Sequence, residues 1–363
     1  MNASGRPILT NAWGDEILPP APARSIPWKN VLIALLVAAG WALPLFWGDQ
    51  AGVRTFALVF GSIVLEALPF MLVGSLIGGL IEVFVSRERL TRHLPRGPLA
   101  LTCAAALLGL VLPVCECAVV PVVRRLTRKG LPLSAAVAYL LGGPIVNPIV
   151  GASTFLAYAG EWRIVALRLG AGYAIAVGVG WLMGRLFARR PALLADRAGH
   201  GHAAGCGCGC GHDHAHEQGH GGHGLGARLG AALRHASDDF TAVAHYLILG
   251  AAIAAFAQTV VERRAVLELA AIPFLPAAAM MALAILLNLC SEADAFIGAS
   301  FRGLVPLHAQ MAFLLTGPMF DLKLLLMYRT LFTRRAIAAL SVLILLAVSL
   351  AVGAIELAGK AGL

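Results

Sequence analysis

Cys115, Glu116 and Cys117 stand in a row within "LPVCECAVVPVVRRLTRKG", residues 112–130, a stretch that up to Val123 looks like part of a membrane helix. Thiolates are soft ligands suited to Cu(I) and Zn(II), and the same softness suits trivalent arsenic. In a regular helix, residues two apart point away from each other; in an unwound stretch they share a side. Pro113 and Pro121 flank the triplet and favour the unwound form. An acid inside an apolar run is costly, so Glu116 is expected to have a partner and a role.

A second cluster, Cys290, Ser291, Glu292, Ala293 and Asp294, adds a thiol and two acids. Packed against the first, Cys290 would complete a three-thiol site with Cys115 and Cys117. Glu116, Glu292 or Asp294 would then carry a coupled proton, because buried carboxylates titrate at raised pH. Two further stretches, Gly143-Pro144 through Asn147-Pro148 and Gly317-Pro318 through Asp321-Leu322-Lys323, read as helix breaks. A break frees carbonyls and amides that bind ions or polar solutes. Asn147 and Asp321 are therefore expected to line the site, with Lys323 beside Asp321 as a neutralising charge. Glu66, in "LEALPFML", is a further lining candidate, whereas Cys103, His245 and His308 read as packing or interfacial residues.

A different set of ligands fills "GHGHAAGCGCGCGHDHAHEQGHGGHG", residues 199–224. Here Cys206, Cys208 and Cys210 alternate with glycine among His200, His202, His212, His214, His216, His220 and His223. The spacing lacks the closed two-plus-two pattern of a zinc finger, so capture or buffering of Zn(II) or Cu(I) is expected rather than a fixed structural site. The stretch has almost no apolar residues and is expected to be a loop.

These residues need a scaffold, and the composition says which kind. Of 363 residues, 59% are hydrophobic and 13% charged, against about 45–50% and about 25% in soluble domains. This is the composition of an integral membrane protein, in the lipid bilayer as its first partner. The formal charge of +9 comes from short basic clusters between apolar runs, the pattern that orients a polytopic protein rather than one that binds nucleic acid. The expected class is an all-α polytopic membrane protein of about 8–10 membrane segments. Apolar runs lie at about 31–47, 55–83, 99–123, 132–158, 164–186, 240–261, 272–290, 308–328 and 337–358. Residues 1–30 read as a tail rather than a signal peptide. The expected divisions are 31–54 for a first membrane helix and loop, 55–186 for one repeat, 187–238 for a cytoplasmic metal-binding loop, and 239–363 for a second repeat.

The repeat is legible in "AVAYLLGGPIVNP" and "QMAFLLTGPMFDL", which align at an offset of 174. The same offset sets Glu116 against Cys290, Cys117 against Ser291 and Asn147 against Asp321. Basic residues in 84–98 and 124–131 would fall on opposite sides if 99–123 crossed fully. A re-entrant 99–123, with 272–300 doing likewise from the other side, removes that conflict with the positive-inside rule. Each half then has an odd number of crossings, so the two repeats are inverted and their broken helices meet at the midplane. No Gly-rich loop ending in Lys-Ser/Thr is present, which points to a secondary permease or to a separate motor subunit.

The stretch from "LPVCECAVVP" to "LLGGPIVNPIV" resembles the bacterial predicted-permease family that includes the ArsP and YraQ-like proteins, and within it the branch regarded as copper/zinc efflux transporters. Cys115, Cys117, Gly143, Pro144, Asn147 and Pro148 carry the resemblance. It implies a multi-pass efflux permease of the bacterial inner membrane for soft metals or metalloids, and ArsP members export trivalent organoarsenicals through membrane thiols. Glu116 between the thiols, together with the Cys/His-rich loop, leans towards Cu(I) or Zn(II). The expected protein is thus not an enzyme and has no prosthetic group; metal is its cargo or is held by the loop. A periplasmic or cytoplasmic metal carrier and a second copy of the chain are compatible partners. Export of organoarsenicals is the alternative within this class. A membrane thiol–disulfide protein using Cys115 and Cys117 is the alternative from another class.

Overall fold

The computed structural model describes residues 51–86, 88, 95, 97–112, 114–188, 192–193, 225–260 and 275–360. The tail, the first apolar run at 31–47, Pro113 and all ten loop ligands from His200 to His223 lie outside the described residues. Elsewhere the chain is helical, apart from a single bridge between Leu193 and Phe332. The all-α class expected from composition is what the chain forms.

The first half contains α1 (Ala51–Phe84), α2 (Pro98–Ala106), α3 (Leu108–Val111), α4 (Glu116–Arg128), α5 (Leu133–Gly142), α6 (Pro148–Ala157) and α7 (Trp162–Leu186). The second contains α8 (Leu225–Val260), α9 (Pro276–Leu287), α10 (Ser291–Ser300), α11 (Leu307–Met319), α12 (Leu322–Met327) and α13 (Arg334–Lys360). Five of the described helical stretches are long and apolar enough to cross a bilayer: Gly52–Phe84, Trp162–Leu186, Arg228–Val260, Leu307–Thr330 and Arg334–Lys360. Leucines such as Leu58, Leu65, Leu346 and Leu350 stand exposed on them, as lipid-facing side chains do.

Three apolar runs are broken close to where the prolines predicted. The run at 99–123 becomes α2 and α3, then an interruption around Leu112–Cys115, then α4. Contacts fix the direction of each piece. Ala118 lies against Gly74, Pro121 and Arg125 lie against Gly78, and the Lys129 ammonium donates to the carbonyls of Glu82 and Val85 at 2.6 and 2.7 Å. So α4 runs alongside α1 and ends where α1 ends. Ala106 meets Gly142, and Gly109 meets Gly143 and Val146, so α2 and α3 run inward alongside α5. The chain therefore enters and returns at one end of the bundle. That end also gathers the close of α7 and the start of α13, joined by the Thr333 amide donating to the Ala192 carbonyl at 2.8 Å. It carries Arg124, Arg128 and Lys129 at the close of α4, with Arg185 on α7 and Arg334 and Arg335 on α13, and is called the basic end below.

The run at 132–158 becomes α5 and α6, divided at Gly143–Asn147, and α7 returns antiparallel with Gly172 on Ile145 and Gly180 on Ala138. In the second half α9 leads into α10, which runs to the far end, where Arg302 bonds to Glu161 and to the Tyr158 carbonyl. The crossing at 307–330 is divided around Phe320–Asp321 into α11 and α12. Helix α8 begins at Leu225, inside the stretch expected to belong to the loop, so the helix reaches well beyond the bilayer-spanning run at 240–261. Its extra turns form a charged contact: Asp239 is buried and takes the Arg125 guanidinium, with Arg124 at 3.7 Å. Arg125 also approaches Glu82 at 3.7 Å and donates to the His235 carbonyl at 3.2 Å.

Helix α4 from Glu116 to Val123 and helix α11 from Ala309 to Met319 are buried along their whole length inside the bundle. Small residues permit the closest approaches: Gly74 on α4, and Gly79 against the backbone of Ala232 on α8. Replacing Gly79 with Ala sets a helix-propensity gain of about 1 kcal/mol against overpacking of about 1–3 kcal/mol on a backbone oxygen. The clash is expected to win. Gly79→Ala should lower the thermal midpoint of the detergent-purified protein, while Gly52→Ala, which meets open space, should not.

Candidate functional site

Four helix starts converge in the middle of the bundle. Cys115 and Cys290 are the N-caps of α4 and α10, both in extended conformation, and Asn147 and Asp321 are the N-caps of α6 and α12. The caps follow ordinary local chemistry. The Asn147 side chain accepts from the Ile149 amide at 2.9 Å, and Pro148 takes the first helical position, where a missing N–H costs nothing. The Asp321 side chain accepts from the Leu324 amide at 2.6 Å. Asn288 closes α9 in the left-handed conformation, with φ of 53°, which Asn tolerates.

This pairing of helix starts corrects the register expected from the sequence. The offset of 174 holds for Asn147 and Asp321, but the thiols pair as Cys115 with Cys290, one residue off. The chain between the two breaks is one residue longer in the first half, 115 to 147 against 290 to 321. Glu116 consequently stands opposite Ser291 rather than Cys290, and the two bond directly: the Ser291 hydroxyl donates to the Glu116 carboxylate at 3.0 Å.

Lys323 completes that contact. Its ammonium lies 3.2 Å from the other Glu116 oxygen and 3.6 Å from Asp321, with all three side chains buried. With its amide nitrogen turned towards Asp321, Asn288 donates to both oxygens of that carboxylate at 2.6 and 2.9 Å. Lys323 thus holds two carboxylates, one more than the neighbour it was expected to neutralise.

A narrow pocket of about 10 Å³, room for about one water, opens between α1 and these helix starts. Its walls include Cys115, Glu116, Cys117, Cys290, Lys323 and Glu66. Because the backbone is extended at Cys115 and helical from Glu116, the thiols of Cys115 and Cys117 come within hydrogen-bonding reach of each other. Cys290 reaches Glu66 instead. The three thiols share a pocket, yet among the described residues no three of His, Cys, Asp and Glu are disposed to hold one metal ion. About four helical turns separate the pocket from the Arg125–Asp239 contact, roughly 24 Å along α1 from Glu66 to Glu82.

The other expected site residues have structural places. Gly143 packs on Tyr139 and Val119, Pro144 is buried in the turn after α5, and Pro148 is exposed. Pro318 is buried inside α11, and Gly317 presents its bare Cα to the Asp294 carboxylate. Glu292 is half-buried within reach of Cys290. Neither Asn147, Asp321 nor Asp294 is among the pocket's walls. Cys103 lies beside Tyr173, and His245 bonds back to the Thr241 carbonyl at 2.7 Å, so neither enters the site. His308 borders a separate surface cleft with Arg163, Glu356 and Lys360.

Arg168 is the functional-site residue that sequence reasoning missed. Fully buried in α7, it donates to the Thr154 hydroxyl at 2.8 Å and to the Ser291 carbonyl at 2.7 Å, tying α6 to the start of α10. A guanidinium inside an apolar run was a readable signal of an intramembrane partner. Asn288 and the buried Arg125–Asp239 pair were missed too, the latter because Arg125 sits among basic residues that read as a loop.

Buried charges linking broken helices in a bundle of this kind belong to a multi-pass membrane transporter rather than to an enzyme. The comparisons with known proteins agree: the model of the ArsP_1 predicted-permease family matches residues 53–357, and this chain belongs to that family. It is similar to the UPF0718 protein YcgR of Bacillus subtilis, with 40% identity over 76% of this chain and 88% of the relative. A protein of Streptococcus mutans described as a putative two-component membrane permease complex subunit shares 35% identity over 77% of this chain and 87% of its own length. The UPF0718 protein YraQ of Escherichia coli aligns at 27% identity over 32% of this chain and 34% of its own. No solved structure matches the chain.

Removing one partner of a buried pair strands the other charge, at about 3–5 kcal/mol. Glu116→Gln and Lys323→Met should each destabilise the protein on that scale, Lys323→Met more, since it abandons Asp321 as well. The double variant should lose clearly less than the sum, as read from a thermal or denaturant double-mutant cycle in detergent.

Proposed function

We propose that this permease exports a soft, thiol-seeking ion, Cu(I) foremost, from the cytoplasm across the bacterial inner membrane as a secondary transporter. The observation that carries the reading is that two thiols, Cys115 and Cys117, stand together on the wall of a pocket at the centre of a broken-helix bundle. Soft thiolates select Cu(I), and two of them suffice for it. Zn(II) takes four ligands, so it would draw on Cys290, Glu66 or further groups that close in only after a rearrangement.

In this reading the two halves are inverted repeats, each with a re-entrant hairpin whose tip, Cys115 or Cys290, reaches the midplane. The basic end faces the cytoplasm, in keeping with the positive-inside rule. The Cys- and His-rich stretch 200–223 collects metal there and passes it to the thiols. The name of the Streptococcus mutans relative, a subunit of a two-component complex, supports a partner subunit for this chain too.

Lys323 favours a second reading. A resident ammonium between Glu116 and Asp321 already supplies the positive charge that a metal cation would bring. A monoalkyl arsenic(III) species bound by two thiols forms a neutral adduct and needs no further charge.

Elemental mass spectrometry decides between these. Cells lacking other exporters would express wild type, Cys115→Ser/Cys117→Ser, or a chain without residues 200–223, and receive copper, zinc or methylarsenite. Wild type should lower cellular copper and the thiol variant should not. A fall in arsenic alone, indifferent to the loop deletion, would replace the copper reading by the arsenical one. No change in any element would remove both.

A further inference from the structure

Five carboxylates lie near the midplane, and they are not equivalent. Glu66 and Glu292 are half-buried. Glu116, Asp294 and Asp321 are at most 1% exposed, so each must be compensated where it stands. Two of the three are. Glu116 gives one oxygen to Lys323 and the other to Ser291, and Asp321 is shared by the Leu324 amide, Asn288 and Lys323. Asp294 differs: its Oδ2 is buried and has no hydrogen-bond partner.

The setting of Asp294 is specific. Gly317 on α11 leaves just the space the carboxyl occupies, and any side chain there would run into Oδ2. Across from it stands Arg168, whose Nε is likewise buried without a partner, although its two terminal nitrogens are bonded to Thr154 and Ser291. A guanidinium and a carboxyl thus act on each other through space without an ion-pair contact, each with an idle polar atom. The charged groups acting on Asp294 are Arg168 from α7, Glu116 from α4, and Asp321 and Lys323 from α12, with Glu292 on its own helix. The fully buried members apart from Asp294 are two cations and two anions. They cancel, so the state of Asp294 alone sets the net charge of the buried cluster.

We propose that Asp294 is the proton-binding carboxyl of this permease, with Arg168 as its fixed counter-charge, at a site separate from the thiol pocket. In one state the group is –COOH, needs no cationic partner and leaves the cluster with no net charge. In the other it has released that proton, and the carboxylate closes on the Arg168 guanidinium. One proton is taken up and one given back per cycle, and no other bond is made or broken. The proposal rests on the secondary-transport reading above, and not on which cargo the thiols hold.

Infrared difference spectroscopy of the full chain in lipid vesicles tests it directly. Wild type should show a protonated-carboxyl carbonyl stretch that titrates with pH. The band should vanish in Asp294→Asn and be displaced in Asp294→Glu, which keeps the carboxyl should the amide variant fail to fold. In parallel, uptake of glutathione-buffered Cu(I) or of methylarsenite into inverted vesicles would be driven by an imposed pH gradient, and Asp294→Asn should lose it. A titrating band unaltered in both variants, or gradient-driven uptake surviving in Asp294→Asn, would overturn the assignment. Wild-type vesicles that accumulate neither cargo would instead overturn the cargo reading, and the infrared band would still judge Asp294.

Discussion

Backbone that is interrupted inside hydrocarbon has to find its hydrogen bonds within the protein, and this fold interrupts its backbone repeatedly at one depth. The starts of α4, α6, α10 and α12 all point inward, each with amide groups that no preceding turn can satisfy. Their dipoles add positive potential at the same place. Acidic and amide caps answer this demand: Asn147 and Asp321 bond to the amides that follow them, and Glu116 and Asp294 occupy the first turns of α4 and α10. The carboxylates in turn need cations, which Lys323 and Arg168 bring. The polar centre is thus a consequence of the broken helices before it is anything else, and the thiols occupy the wall of a cavity that this network holds open.

The relation between sequence and structure follows the same division. Where a fold feature depends on composition or on proline, it is legible. The helical class, the breaks near Cys115, at Gly143–Asn147 and before Lys323, and the return of α4 to the end it started from all follow from hydropathy, Pro positions and the clustering of Arg and Lys. What is not legible depends on which side chain lies opposite which. The one-residue difference in spacing makes Cys290 correspond to Cys115, each the cap of its helix, rather than to Glu116, and no alignment of apolar helices resolves a single residue. Arg168 stands inside an apolar run and Arg125 within a basic cluster, and neither setting says which side chain is its partner. Only the packed bundle tells that their partners are Ser291 and Asp239, more than a hundred residues away. The likeness between the halves also conceals an asymmetry: the residue two past each cap is Lys323 in the second half and Ile149 in the first.

That asymmetry joins the halves to each other. Glu116 is held by Ser291 and Lys323, Arg168 by the Ser291 carbonyl, Tyr158 by Gln310, Arg125 by Asp239, and Glu161 by Arg302. In every one of these bonds a residue before 187 meets one after 224. Neither half has enough internal polar partners at its centre to be satisfied alone, so the centre exists only while the halves are together.

The two ends of the bundle are closed by bonds of very different strength, and that difference sets which end yields first. At the basic end Arg125 and Asp239 are almost fully buried, with Glu82, Lys129 and two backbone carbonyls drawn into the same contact. Separating them strands buried charges, at about 3–5 kcal/mol. At the far end Arg302 and Glu161 are 45% and 44% exposed, and an exposed pair of this kind contributes about 0–1 kcal/mol. Water can replace the second contact and cannot easily replace the first. A fluctuation of the bundle therefore opens the far end at lower cost. Among the described residues, the pocket beside Cys115 and Cys117 is thus held shut more firmly on the side that carries the basic residues than on the side away from them.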